Sequence, residues 1–123
     1  MLTNCDESSI LYYMDKVVQD EIKKLTKIMA KTVPVEKIYL FGSYAYGTPH
    51  KNSDLDFYVV LKPGVTLRPI EAGIRIRMAM SRIQDMPLDV LVNHHDVFFQ
   101  RLTQPTLESK IVRDGILLYS EDL

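Results

Sequence analysis

The sequence predicts an α/β (α+β) protein in which helices cover a small mixed β-sheet. Amphipathic segments with helical spacing alternate along the chain with short runs of β-branched and aromatic residues, an order typical of helices packed on a sheet. The 123 residues are the size of one ordinary domain, and no repeat, low-complexity tract or linker divides them. We therefore expect a single domain over residues 1–123.

The first half of the chain predicts one long helix and two strands. Apolar residues recur at helical spacing from Ser8 to about Lys31, and Pro34 closes that helix. The run Lys37–Phe41 (KIYLF) is β-branched and aromatic and leads into a Gly-Ser pair, so we expect a buried strand that ends in a turn. After a loop, Asp54–Leu61 (DLDFYVVL) is the second predicted strand.

The second half predicts a crossover helix, a third strand, two short helices and a last strand. The crossover helix begins at Pro69 and continues to about Gln84, with Ile70, Ile74 and Met78 along its apolar side. It has the length needed to join two parallel strands. The remaining predicted elements are a strand at Leu88–Val92, a helix from about Val97 to Leu102, a helix at Pro105–Val112 and a strand at Ile116–Tyr119.

Charge and hydropathy exclude several classes of protein. The formal net charge of -1 lacks the basic excess of a protein that holds nucleic acid mainly by its phosphates. No apolar run approaches the ~20 residues that cross a bilayer, and the amino terminus does not resemble a secretory signal. The single cysteine, Cys5, agrees with a reducing compartment. We therefore expect a cytoplasmic protein that binds neither membrane nor nucleic acid.

Two aspartates in the second predicted strand indicate a metal site. Asp54 and Asp56 are two residues apart, so a strand directs both carboxylates to one face and sends Leu55 and Phe57 to the other. Like charges in this arrangement repel each other, and a bound cation removes that cost. Mg²⁺ prefers hard oxygen ligands and commonly takes one or two carboxylates together with substrate phosphates. The pair therefore predicts a magnesium site.

A third aspartate and a Gly-Ser turn extend the predicted site. Asp89 lies in PLDVLV on the face opposite the apolar residues of its strand, a pattern that fits a metal ligand and a solvent-facing position equally well. If its strand lies beside that of Asp54 and Asp56, three carboxylates share one sheet face, enough for two metal ions. Gly42-Ser43 follows a strand directly, where backbone N–H groups and the hydroxyl can meet a phosphate.

The combination of Gly-Ser, ten residues, Asp-x-Asp and a later Asp on an apolar strand resembles the DNA polymerase beta-like nucleotidyltransferases, and within them the minimal (MNT-type) branch. The resemblance implies the nucleotidyltransferase fold. It assigns Gly42, Ser43 and Ser53 to nucleotide binding, and Asp54, Asp56 and Asp89 to catalysis and to two Mg²⁺ ions. One departure is Tyr46, at a position before the second glycine where many minimal members carry Arg.

The same resemblance implies a reaction and a partner. Minimal members transfer a nucleoside monophosphate, here expected to be AMP from ATP, to a hydroxyl group of a small helical partner of the HEPN type. The chain would then be the antitoxin of a toxin–antitoxin module. Two alternatives stay open: a non-catalytic module that neutralises its partner by occlusion, and a small-molecule (antibiotic) nucleotidyltransferase. Homo-oligomerisation is also left open.

Other polar and sulfur-containing residues have simpler interpretations. His50, His94 and His95 lack Cys or Glu at ligand spacing and are expected in polar loops. The arginines spaced seven apart are expected on a solvated helix face, and the methionines near them are expected to fill the core. The arginines are Arg68, Arg75 and Arg82, and the methionines are Met78, Met80 and Met86.

Overall fold

A mixed four-stranded sheet forms the centre of the fold. The computed structural model describes residues 14–122. The strands are β1 (Val35–Phe41), β2 (Leu55–Leu61), β3 (Leu88–Asn93) and β4 (Ile116–Ser120), in the order β3-β2-β1-β4. Strand β1 is antiparallel to both β2 and β4, whereas β3 is parallel to β2. The predicted mixed sheet is therefore confirmed.

Five helices accompany the sheet within the described residues. They are α1 (Lys16–Thr32), α2 (Gly42–Ala45), α3 (Pro69–Met80), α4 (His95–Arg101) and α5 (Leu107–Asp114). Helix α3 is the crossover between the parallel strands β2 and β3, as the sequence predicts. The described part of the first predicted helix begins at Lys16; Cys5 and residues 8–13 lie outside the described residues.

The two faces of the sheet bury separate apolar clusters. Leu55, Phe57 and Val59 of β2 pack with residues of α1 and α3, while Tyr58 and Val60 pack with residues of α4 and α5. Every residue of β2 except Asp56 is buried. Because β2 is covered on both faces, its run of apolar residues is nearly continuous, as in other strands buried on both sides. Asp56 is the exception that the site below explains.

Several element boundaries differ from the prediction. Strand β1 begins two residues earlier than predicted, at Val35, and β2 begins at Leu55, so Asp54 immediately precedes the strand. Helix α3 ends at Met80 rather than near Gln84. The carbonyl oxygen of Met80 accepts from the backbone N–H groups of both Ile83 and Gln84, a tight turn that stops the helix.

The predicted apolar side of α3 is wrong. Ile70, Ile74 and Met78 have relative exposures of 67%, 51% and 72%. The buried side of α3 consists of Ala72, Gly73, Ile76 and Met80. Both stripes have helical spacing, and the one with two small residues faces the sheet because it lets the helix approach more closely. The methionines divide accordingly, with Met80 buried, Met86 half-buried and Met78 exposed.

Between residues 14 and 122, no helix combines the length and apolar character required to cross a membrane.

Candidate active site

Adjacent strands bring two of the predicted aspartates side by side. Asp56 of β2 is the register partner of Asp89 in β3 and of Phe41 in β1. Register partners on neighbouring strands project to the same face of a sheet, so Asp56 and Asp89 share one face. Asp54 lies two residues before Asp56, directly outside the strand. Asp56 and Asp89 therefore share one end and one face of the sheet, and the charge of Asp54 is close enough to raise the pKa of Asp56.

Gly42 begins α2 at the end of β1 and lies against the Asp56 carboxylate. Its φ is +78°, a backbone conformation that L side chains rarely adopt. A Cβ atom built on Gly42 would be 2.1 Å from Asp56 Oδ2, far inside van der Waals contact. The position thus requires glycine for two independent reasons, and the main chain at the Gly-Ser pair runs directly beside the acidic residues.

Asp56 carries its charge in an unfavourable environment. Partial burial raises the pKa of its carboxyl group above the usual range, and the negative charges of Asp89 and Asp54 raise that pKa further. Asp54 and Asp89 themselves are exposed. A half-buried carboxylate between two others is the arrangement that a divalent cation would relieve.

Asp89 has a cationic partner that the sequence analysis missed. Arg77 of α3 donates from Nη2 to Asp89 Oδ1 at 2.9 Å and to the carbonyl oxygen of Val90 at 2.9 Å. The backbone N–H of Val90 also donates to Asp89 Oδ1, at 2.9 Å. Arg77 does not belong to the row of arginines spaced seven apart. Nothing in the sequence pairs it with Asp89.

Carboxylate oxygens suit a divalent cation, although here they are not arranged as a complete metal site. Within residues 14–122, no group of three or more His, Cys, Asp or Glu side chains is arranged to hold a metal ion. Asp56 and Asp89 share a face, but Asp89 is turned towards Arg77. All the donors are carboxylate oxygens, the ligand type that Mg²⁺ prefers.

The loop before Asp54 is closed by Ser53. Its hydroxyl accepts a hydrogen bond from the backbone N–H of His50 at 2.8 Å, and its own N–H donates to the His50 carbonyl oxygen at 2.9 Å. Ser53 is buried and His50 is exposed. Ser53 therefore shapes the turn that leads into Asp54, and its predicted contact with nucleotide stays a prediction.

An open cleft of about 670 Å³ adjoins the Gly-Ser end of the sheet. Its walls come from the start of α1, from α2 and from the loop after α2. The lining residues are Met14, Asp15, Val18, Tyr44, Gly47, Pro49, His50 and Lys51. The volume lies within the range of ligand sites, roughly 300–1,000 Å³.

Tyr46 and the histidines take positions of their own. The ring of Tyr46, which replaces the Arg common in minimal members, lies 5.0 Å from Lys110 Nζ in a cation–π contact. His95 is not in a loop as predicted: it begins α4, and its Nδ1 lies 2.6 Å from Glu36 Oε1. The predicted exposure of Arg68, Arg75 and Arg82 is confirmed.

Comparison with known sequences identifies a family and a relative. The family profile described as "Polymerase beta, Nucleotidyltransferase" matches residues 23–123. The protein adenylyltransferase MntA of Shewanella oneidensis is 47% identical over 38 residues, which are 30% of this chain and 27% of that protein. The similarity to this curated relative thus spans about a quarter of its length.

Three solved structures share the fold. A candidate nucleotidyltransferase from Sulfolobus solfataricus has a TM-score of 0.54 at 22% identity, covering 84% of this chain and 80% of that one. A toxin–antitoxin structure with AMP-PNP has a TM-score of 0.52 at 28% identity, covering 81% and 73%. A toxin–antitoxin MntA-HpeT mutant, with two aspartates two residues apart changed to glutamate, has a TM-score of 0.53 at 27% identity, covering 79% and 71%.

Proposed function

The chain belongs to the polymerase beta nucleotidyltransferase family, and we propose that it transfers AMP from ATP to a hydroxyl group on a protein partner. The partner in this proposal is a small helical protein of the HEPN type, and the pair forms a toxin–antitoxin module in the cytoplasm with this chain as the antitoxin. Residues 1–123 act as a single nucleotidyltransferase domain in this proposal.

Similar proteins support the choice of reaction and partner. MntA, which shares a 47% identical segment, is named a protein adenylyltransferase, and two of the similar structures are toxin–antitoxin complexes. One of these structures contains AMP-PNP, an analogue of ATP. The other carries changes at two aspartates with the same spacing as Asp54 and Asp56. These similarities favour a protein over other acceptors of AMP.

The proposed reaction is an in-line displacement at the α-phosphorus of ATP. A bond forms between the acceptor oxygen and that phosphorus, and the bond to the oxygen bridging the α- and β-phosphorus atoms breaks, so pyrophosphate leaves. Gly42 lets the triphosphate approach the main chain, and the Ser43 hydroxyl donates a hydrogen bond to it. Asp89 accepts the proton of the attacking hydroxyl. The contribution of the chain is therefore positioning and charge complementarity.

Asp54, Asp56 and Asp89 are the proposed ligands of two Mg²⁺ ions. Proteins of this family generally use divalent metal, and when bound the ions would supply positive charge to the triphosphate and to the attacking oxygen. Carboxylates of Asp54 and Asp56 would hold both ions, and Asp89 would complete the site nearer the acceptor. The half-buried Asp56 carboxylate, flanked by Asp54 and Asp89, is the single observation that carries this assignment.

An adenylylation assay with Asp56→Asn tests the proposal. Purified protein is incubated with labelled ATP, Mg²⁺ and a small helical protein of the HEPN type from the same organism, and the label on that protein is measured together with its mass. We expect wild type to add one AMP and Asp56→Asn to add none, because the loss of one carboxylate charge weakens cation binding. Asp96→Asn is the matched control, since Asp96 is an exposed acid in the first turn of α4.

Two results would count against the proposal. Transfer by Asp56→Asn at the wild-type rate would remove the carboxylates from catalysis. Tight binding of the partner by wild type, without label from ATP or another NTP, would favour neutralisation by occlusion. Tyr46 in place of the common Arg, with Lys110 over its ring, is the feature of this chain that favours occlusion.

Transfer to a small molecule is a further candidate, and the cleft beside the Gly-Ser end favours it. At about 670 Å³ the cleft is large enough for a drug-sized acceptor. An aminoglycoside is assayed as acceptor in parallel with the helical protein. AMP on the aminoglycoside, with none on the protein, would select this alternative.

A further inference from the structure

An arginine of α3 contacts Asp89, a proposed metal ligand, at the edge of the sheet. Strand β3 is an edge strand, and Arg77 reaches it from α3. The guanidinium group contacts both the side chain of Asp89 and the main chain of Val90. Val90 also donates its N–H to Asp89 Oδ1, so two of the three contacts end on that single oxygen atom and the third holds Arg77 to the main chain.

The network occupies only one oxygen of Asp89. Oδ1 accepts from Arg77 Nη2 and from the Val90 N–H, both at 2.9 Å. Among residues 14–122, no described hydrogen bond or ion pair reaches Oδ2. Two donors on Oδ1 fix the rotation of the carboxylate, and the second oxygen stays available.

A glycine of α3, Gly73, lies beside the end of the Arg77 side chain. Gly73 lies one helical turn before Arg77, on the buried side of the helix. A Cβ at position 73 would come within 3.3 Å of Arg77 Nη1 and 3.9 Å of Val92 Cγ2. Glycine is unfavourable inside a helix, and its lack of a side chain here leaves room for the end of the Arg77 side chain.

We propose that Arg77 is a positioning residue for the metal site, holding Asp89 by Oδ1 so that Oδ2 is presented to a divalent cation shared with Asp54 and Asp56. This inference rests on the proposed function, because it takes Asp89 as a metal ligand. It goes further by assigning a role to a residue of α3 that does not itself touch substrate. Hydrogen-bonded partners of metal ligands commonly contribute about 10- to 100-fold to metal affinity.

A simple electrostatic argument makes the opposite prediction, so the sign of the effect is decisive. Arg77 is a cation beside a cation site, and charge repulsion alone would make its removal tighten metal binding. If Arg77 acts by orienting Asp89, its removal weakens metal binding instead. The side chain of Arg77 is 49% exposed and that of Asp89 is 58% exposed, so solvent screens the repulsion. We therefore expect orientation to dominate.

Titration with Mn²⁺, followed by the electron paramagnetic resonance signal of the free ion, tests the role without any turnover. We expect Arg77→Met to weaken Mn²⁺ binding about 10-fold or more. Arg77→Lys should fall between Arg77→Met and wild type, because one ammonium group keeps the charge but cannot reproduce the planar fork. Arg82→Met is the matched control: Arg82 is exposed just beyond α3 and makes no described hydrogen bond or ion pair. Its Mn²⁺ affinity should equal that of wild type.

The outcomes separate this inference from the proposed function. Mn²⁺ affinity of Arg77→Met equal to or tighter than wild type would overturn the positioning role, even if Asp56→Asn abolishes binding as expected. An Arg77→Met protein that melts at a lower temperature but binds Mn²⁺ with unchanged affinity would show that Arg77 only stabilises the fold at the sheet edge. Wild type without saturable Mn²⁺ binding, in the presence of AMP-PNP as well as in its absence, would overturn both proposals. Arg77→Lys carries the test if Arg77→Met does not fold.

Discussion

Asp56 is a residue whose charge the fold alone does not favour. Its carboxylate is half-buried, and both acidic neighbours in the site raise its pKa. A carboxyl group with a raised pKa in the folded state lowers stability as pH rises through that range, because the folded protein must then ionise it against the environment. The chain tolerates this cost at one position of an otherwise buried strand. Such conflicts between stability and chemistry are expected at functional sites.

Asp56→Asn should therefore raise the melting temperature of the protein in buffer that contains EDTA. The amide keeps nearly the same shape and removes the charge that Asp54 and Asp89 repel. Added Mg²⁺ should raise the melting temperature of wild type more than that of the variant, because only wild type retains the full set of carboxylates. Calorimetry with and without Mg²⁺ measures both effects. A variant less stable than wild type in EDTA would show that the Asp56 charge is already compensated.

Gly42 and Gly64 offer a matched pair for the close approach of main chain to carboxylate. Both have a φ of +78°, so alanine at either position incurs backbone strain of roughly 1–2 kcal/mol. Only at position 42 would the new Cβ also collide with Asp56; around Gly64 nothing lies within 4 Å. Gly42→Ala should lower the free energy of unfolding more than Gly64→Ala and should abolish transfer. Urea denaturation and the adenylylation assay measure the difference, and equal losses for the two variants would contradict the described clash.

At the scale of elements, α3 has two apolar stripes and only one of them is buried. The sequence reveals helical periodicity but not the direction in which the helix faces, because Ile70, Ile74 and Met78 have the same spacing as the buried set. The direction depends on the close approach of Ala72 and Gly73 to the neighbouring elements, which is a tertiary property. The same reason explains why Arg77 was missed: its contact with Asp89 crosses from a helix to the edge of the sheet.

Ile76→Ala and Ile74→Ala test the direction of α3. Ile76 is fully buried in the core, so truncation should lower the free energy of unfolding by about 2–4 kcal/mol. Ile74 is 51% exposed, and its truncation should change that free energy by no more than about 0.5 kcal/mol. Urea denaturation of the two variants measures the contrast. A larger loss for Ile74→Ala than for Ile76→Ala would mean that the helix is rotated from the described orientation.

For the molecule as a whole, local patterns predicted the order of the elements better than their contacts. Alternation of helical and strand periods predicted a small sheet covered by helices, with a crossover helix, because the type of each element depends on neighbouring residues. The pairing of Asp56 with Asp89 was predicted only on the condition that their strands are adjacent, and the structure meets that condition. Turns such as the one after Met80 and networks between distant residues depend on the assembled fold, so no local pattern predicted them.

The second face of the sheet is held to its helices by a buried polar network as well as by apolar contacts. The hydroxyl of Tyr58 donates to Glu108 Oε2 at 2.7 Å and accepts from Asn93 Nδ2 at 2.9 Å. Arg101 Nη1 donates to the same Glu108 oxygen at 3.3 Å. Glu108 is only 3% exposed, so its charge depends on these partners. Strands β2 and β3 are thereby joined to α4 and α5.

Tyr58→Phe should lower the free energy of unfolding by about 1–3 kcal/mol, the usual cost of leaving a buried polar group short of a partner. Asn93 loses its acceptor, and Glu108 keeps Arg101 as its described partner. The ring is retained, so the tilted ring contact with Phe98 is unchanged. Denaturation of this variant, of Glu108→Gln and of the double variant Tyr58→Phe/Glu108→Gln measures the coupling between the two side chains. A neutral Tyr58→Phe would show that water replaces the hydroxyl.

The place of β1 between β2 and β4 has a consequence for how the polypeptide acquires its structure. Strand β2 follows β1 closely in sequence, whereas β4, its other neighbour, is the last strand of the described chain. During synthesis, therefore, β1 can pair with β2 early. It can pair with β4 only after almost all of the described residues have left the ribosome. Pairing over such a long stretch slows folding, and the waiting side is a place where a nascent chain needs protection from premature association.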